Sequence, residues 1–176
     1  YNQLALTDIT LDIYAGEILG VAGVDGNGQA ELAELLAGLR QAQDGIISIQ
    51  GKTVHDSDPC QRFDAGVSYI PAERKTHGAV LTLPIYINFV LKNHRCTPFS
   101  RQGIFDHRSI RSYAETQVRE FDIRCPSIDA PAGTLSGGNL QKLILAREIS
   151  ANPTLLVAEQ PTRGLDVGAI EYVRQL

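Results

Sequence analysis

The chain has 176 residues, 43% of them hydrophobic, with a formal net charge of −4 and three cysteines. That length and apolar share suit one cored domain and exclude a disordered polypeptide, while the slight acidity gives no broad basic field for nucleic acid or an anionic membrane surface. Cys60, Cys96 and Cys125 form no CxxC pair, which excludes a zinc knuckle or disulfide scaffold and leaves ordinary thiols of a reducing compartment.

No apolar run approaches the roughly 18 residues that span a bilayer, and the start carries no secretory signal. The chain opens at Tyr1 and contains no methionine, so a longer polypeptide is expected and both termini are treated as cuts.

Residues 4–21, LALTDITLDIYAGEILGV, alternate apolar and polar side chains around Leu6, Ile9, Leu11 and Ile13 and then meet Ala15-Gly16. The alternation predicts a strand, a tight turn and a second strand running into GVAGVDGNGQAE, Gly20–Glu31. Beyond the glycines, QAELAELLAGL sets Leu32, Leu35, Leu36 and Leu39 at helical spacing, with Gly38 near the helix end. Strand, glycine loop and helix is the order that a phosphate cradle needs.

DGIISIQGKTV (Asp44–Val54) predicts a hairpin, and GVSYIPAER (Gly66–Arg74) a buried strand stopped by Pro71. From about Ala79 to Ala132 the character changes: Pro84, Pro98, Pro126 and Pro131 punctuate the segment, and Ile110, Ala114, Val118 and Phe121 share one helical face. A helical insertion is expected there. NLQKLILAREIS predicts a helix over 139–149, Asn152-Pro153 a turn, and TLLVAE a central parallel strand.

Three motifs carry the chemistry. Aligned on the phosphate-loop pattern GxxxxGK(S/T), the loop keeps Gly23 and Gly28 but places Gln29 where lysine belongs and Ala30 where the hydroxyl belongs. Its glycines still allow backbone N–H groups to wrap an anion at a helix N-terminus, although a plain strand-to-helix turn accounts for them equally. In TLSGGNLQK (Thr134–Lys142), Ser136 and two glycines present a hydroxyl and bare amides at a helix start, either as an anion contact or as a simple N-cap. In LLVAEQPTRGLD (Leu155–Asp166) an apolar strand ends in Glu159-Gln160, the place where ligand chemistry sits in α/β sheets.

The three in this order resemble the nucleotide-binding domain of ABC transporters over essentially the whole chain. LSGGNLQK, PTRGLDVGA and YIPAERK look most like the second ATP-binding half of bacterial importers for simple sugars and nucleosides. The resemblance implies an α/β P-loop NTPase core with an antiparallel β subdomain and an inserted helical subdomain, C-terminally truncated. Within 1–176 it assigns 1–78 and 133–176 to the core with its β subdomain and 79–132 to the helical subdomain.

It further implies the cofactors ATP and Mg²⁺. The partners it implies are a preceding nucleotide-binding domain in the same polypeptide and membrane permease subunits, with no nucleic acid; the place is the cytoplasmic face of the membrane, held through the permease.

Residue by residue, the resemblance makes Gly23, Asp25, Gly26, Asn27, Gly28, Gln29, Ala30 and Glu31 the nucleotide loop. Ser136, Gly137, Gly138 and Asn139 become the signature motif acting on the partner's ATP, Asp166 the D-loop, Glu159 the doubtful metal position, and Gln160 the position of the catalytic base. Ala72 falls near the Q-loop glutamine, with Glu73 beside it; Arg163 is a candidate for the dimer interface and Tyr1 for adenine stacking.

The departures share a direction. Losing the lysine removes a charge-assisted contact of roughly 1.5 to 3 kcal/mol, and a glutamine cannot take a proton from water, which can cost roughly 10² to 10⁴ in rate. Glu159 is a methylene too long and Ala30 has no oxygen for a strictly octahedral magnesium. The chain's own site is therefore expected to hydrolyse little or nothing, while the intact signature serves a partner's site. Three other readings stand beside this one: a working ATPase with Glu73 or Glu159 as base, an ABC protein without a permease, and a structural α/β domain. His55, His77, His94 and His107 occur singly, and Arg74-Lys75 read as a solvated turn or a permease contact.

Overall fold

A computed structural model describes residues 6–24, 26–165 and 167–175. Its contacts divide the chain into two units, one built from the residues up to Tyr69 together with Pro153–Val157, the other from Ile70–Asn152 and the residues from Ala158 on.

In the first unit the expected strands before the glycine loop are not formed: residues 6–24 carry no assigned strand. The turn is present, closed by Glu17 N–H to the Tyr14 carbonyl at 3.0 Å, with Gly16 at φ +79°. Ile9, Leu11, Ile13 and Ile18 are exposed, Ile18 almost completely. Alternation supplies one apolar face, but a strand also needs a ladder partner for its N–H and C=O groups, and among the described residues this segment has none.

Helix α1 (Gln29–Leu36) follows the loop as the periodicity predicts, and Gly38 at φ +76° ends it. Its buried stripe is not the leucines, however; Ala33 and Ala37 are buried, and Leu39 is exposed. The predicted hairpin forms from β1 (Ser48–Ile49) and β2 (Lys52–Thr53), antiparallel. Helix α2 (Pro59–Asp64) has a capping box, in which the Asp58 carboxylate accepts from Gln61 N–H while the Gln61 amide oxygen accepts from Asp58 N–H. Ile49, Val54 and Val67 form this unit's small core.

Strand β3 (Val67–Ile70) stops at Pro71 as expected and pairs with β6 (Leu155–Ala158). The Gly66 carbonyl accepts from Leu155 N–H at 3.1 Å and the Ile70 carbonyl from Glu159 N–H at 2.9 Å, so both strands advance together and the pair is parallel. Strand β6 is half-buried rather than central: alternate residues are exposed, and among the described residues its ladder is the one with β3. An apolar run records hydropathy on both faces, but only a neighbour on each edge makes a strand central.

Gly66 begins this pair at φ +89°, where an added Cβ would lie 2.7 Å from Thr154 Oγ1. Gly66→Ala should therefore lose about 1 to 3 kcal/mol in chemical denaturation, from the left-handed backbone and the crowding together. An unchanged midpoint would remove both causes.

The second unit holds the main core. A π-helical turn (Arg74–Gly78), α3 (Ile85–Asn88), the hairpin of β4 (Ser100–Arg101) and β5 (Ile104–Phe105), α4 (His107–Glu120) and a 3₁₀ turn (Ala132–Thr134) lead into α5 (Gly137–Ile149). Helix α6 (Val167–Gln175) follows β6. Ile110 and Ala114 of α4 are fully buried and Phe121 just beyond it is buried, as its apolar face predicts, in one core cluster that also holds Leu143, Ile144 and Ala146 of α5. Asp106 caps α4 by accepting from Arg108 and Ser109 N–H, bonds that hold its carboxyl below the usual carboxylate range. Cys60, Cys96 and Cys125 are free thiols, and burial raises that of Cys125.

Candidate functional site

The glycine loop lies in the first unit. Gly26 (φ +86°) and Gly28 (φ +97°) take the left-handed turns that let a chain double back at a helix start, and Gly28 occupies the N-cap of α1 with no side-chain cap. Among the described residues, the amides at the head of α1 thus have no side-chain acceptor.

Gln29 folds back into this loop. Its Nε2 donates to the Val24 carbonyl at 3.1 Å, and a Cβ on Gly23 would overlap its amide, so Gly23 is the residue that makes room for it. A neutral amide therefore sits against the loop backbone where the phosphate-loop pattern has a cation. Ala30, next on the helix, is exposed and has no oxygen to offer a metal; Glu31 lies in the first turn. Beside the loop is a cavity of about 230 Å³ whose other walls include Leu6, Ile9, Val21 and Leu32. Asp25 lies outside the described residues, as do Tyr1 and Asp166.

The signature motif is in the second unit. Ser136 is the N-cap of α5, in extended backbone, and its Oγ accepts from Asn139 N–H at 3.3 Å and from Asn139 Nδ2 at 3.0 Å. The simple cap is thus realised, but it uses only the lone pairs; among the described residues no acceptor takes the hydroxyl proton. Asn139 is held in turn by Arg124 N–H, which donates to its Oδ1 at 2.8 Å. Gly137 and Gly138 open the helix, where N–H groups have no intrahelical acceptor. Hydroxyl, bare amides and the helix dipole together favour an oxyanion in front of Ser136.

At the end of β6, Glu159 N–H is tied to the Ile70 carbonyl, and Gln160 is exposed at φ +40°. Such a conformation is uncommon for a non-glycine residue and recurs at Asp8, Gln50, Gln102, Asp122 and Asn152, so at Gln160 it marks the sharp turn out of β6. The PTRG turn that follows is closed by Arg163 N–H to the Gln160 carbonyl at 2.9 Å. Among the described residues no group of three His, Cys, Asp or Glu side chains could hold a metal.

Arg74 and Glu73, read from sequence as a solvated turn and a neighbour of the Q-loop position, do more than that. Arg74 Nη1 donates to the Arg163 carbonyl at 2.7 Å and Nη2 to the Gly164 carbonyl at 3.0 Å, while Arg163 pairs with Glu73 at 3.2 Å. The pairing spans almost ninety residues of sequence, so no local pattern could have shown it.

The ABC transporter family model matches residues 6–163. The guanosine import ATP-binding protein NupO of Bacillus subtilis is 45% identical over 96% of this chain and 33% of that protein. The glucose import ATP-binding protein TsgD13 of Haloferax volcanii is 47% identical over 97% of this chain and 32% of that protein. The nucleoside import ATP-binding protein NupA of Lactococcus lactis is 42% identical over 99% and 34%. The chain thus spans about a third of the length of these curated relatives. Among solved structures, the ATP-binding cassette MJ0796 bound to ADP and Pi superposes with a TM-score of 0.77 at 21% identity, over 97% of this chain and 72% of that one. With a family model covering nearly all of its length and an ATP-binding cassette as its structural neighbour, the chain belongs to the ABC transporter family and has the ABC ATPase form of the P-loop NTPase fold.

Proposed function

We propose that this chain is the ATP-binding part of an importer for sugars or nucleosides, with a degenerate nucleotide loop of its own and a working signature motif that completes an ATP site held by a partner domain. The observation that carries this reading is the Gln29 amide bonded to Val24 inside the glycine loop, set against a Ser136 hydroxyl that accepts twice from Asn139 and donates to no acceptor among the described residues. The relatives support the substrate class but not one substrate, because guanosine, glucose and nucleoside importers all fall between 42% and 47% identity. The partner is a nucleotide-binding domain preceding this one in the same polypeptide. Permease subunits hold the assembly at the cytoplasmic face of the membrane, and 79–132 forms the helical subdomain.

Magnesium, when bound with ATP, neutralises charge on the β- and γ-phosphates; the residues at this chain's own loop do not fit that pair, lacking both the cation and the hydroxyl ligand. What this chain contributes is electrostatic: Ser136 and the amides of Gly137 and Gly138 would meet the γ-phosphate oxygens of the partner's nucleotide, whereas the Gln160 amide has no basic atom to take a proton from water.

The test restores what the loop lacks. Gln29→Lys with Ala30→Ser should raise magnesium-dependent ATP affinity by on the order of ten- to a hundredfold over the unaltered chain, measured by calorimetric titration. Micromolar, magnesium-dependent binding by the unaltered chain would instead favour a functioning site of its own.

A further inference from the structure

Arg74 does not stop at the PTRG turn. A Cβ added to Gly137, the first residue of α5, would lie 3.2 Å from Arg74 Nη2, and so would one added to Gly164. One guanidinium is therefore seated between the first signature glycine and the turn after Gln160, close enough to both that only glycine leaves it undisturbed. Its two forked donors are satisfied by two successive carbonyls of that turn, which fixes the plane of the group as well as its position.

The segment that carries Arg74 is itself mounted on α5. At its far end the Gly78 carbonyl accepts from Arg147 Nη2 at 2.9 Å, and a Cβ on Gly78 would fall 2.5 Å from Ile144 Cδ1. The π-helical turn thus lies against α5 from Gly137 to Arg147, and Arg74 reaches from that mount to the loop.

We propose that Arg74 is a positioning residue that makes the signature motif and the loop from Gln160 to Leu165 move as one body, so that Ser136 is held in place by that loop when it closes on the partner's ATP. This rests on the signature reading given above. The coupling acts through backbone carbonyls, so it needs a planar fork of donors and not merely a positive charge.

The test uses the assembled transporter with Arg74→Met, which keeps an apolar stem and removes both donors, and with Arg74→Lys, which keeps the charge but not the fork. Arg74→Met is expected to lower kcat for ATP about tenfold with KM unchanged, within the usual range of site-to-site coupling. Amide exchange should rise together at 136–139 and 163–165. Arg74→Lys should recover little of either, whereas a charge effect would be rescued by it.

Ser136→Arg serves as the control. If it abolishes turnover while Arg74→Met leaves kcat unchanged, the positioning role is overturned. If Ser136→Arg itself leaves turnover intact, the signature reading has failed, and exchange alone decides: a joint rise at both segments keeps the mechanical tie, a rise at only one removes it.

Discussion

ATP turnover by the assembled transporter is expected to fall by about 10² to 10³ when Ser136 is replaced by arginine, the loss that follows removal of one preorganised donor from a developing oxyanion. The long side chain also fills the space in front of α5 where the phosphate would stand. The same change removes the N-cap of α5, worth about 1 kcal/mol, so a folding defect could imitate a catalytic one.

Ser136→Asp separates the two. Aspartate is as good a cap as serine and accepts from Asn139 in the same way, but it presents a carboxylate, without a proton, to a phosphate. It should keep the melting temperature while losing turnover to the same extent. Phosphate release from transporter in membrane vesicles, with and without transported substrate, reads the rate. Turnover at the unaltered level in Ser136→Asp would end the idea that this serine serves a partner's nucleotide.

The largest effect on stability is expected at Glu148. Its side chain is fully buried, and its two oxygens take Lys92 Nζ at 2.6 Å and Arg147 Nε at 2.8 Å. Arg147 is itself buried and continues to the Gly78 carbonyl, so the carboxylate joins α5 to the segment bearing Arg74 and to Lys92 beyond α3. Burial lowers the Lys92 pKa, and the neighbouring Glu148 pulls it back toward its ordinary value.

Glu148→Ala leaves the Arg147 cation buried with no counter-charge among the described residues, a loss of about 3 to 5 kcal/mol. For a chain of this size that is on the order of 10 °C in melting temperature. Lys92, partly exposed, can turn its ammonium to water, so the penalty concentrates on Arg147. Glu148→Gln keeps the volume and one acceptor and should fall between. Urea unfolding of both variants checks the order; a loss below about 1 kcal/mol for Glu148→Ala would mean the cation is solvated after all.

Much of the local structure was legible in the sequence. The hairpin at 48–53, the strand ending at Pro71, and the α4 face of Ile110, Ala114 and Phe121 follow from periods of two and 3.6 that any chain must obey. The same rule misled where it had no partner to act on: residues 6–21 alternate correctly but form no ladder among the described residues, and α1 buries Ala33 and Ala37 instead of its leucines. Periodicity specifies a face, whereas burial also requires something of the right size opposite it.

By itself, the order of residues determined which chemical groups are present at each motif. It set Gln29 and Ala30 after Gly28, Glu159-Gln160 after an apolar strand, and Ser136-Gly137-Gly138 ahead of a helix, and no packing can change those identities. Only the tertiary structure decided what the groups are free to do. It turned the Gln29 amide onto Val24, spent the lone pairs of Ser136 on Asn139 while leaving its proton, and carried Arg74 across the chain to the turn at Gly164 and the helix start at Gly137. The reason is physical: a hydrogen bond is a matter of distance and angle between two atoms, and both are set by where the backbone brings them, not by how far apart they stand in sequence.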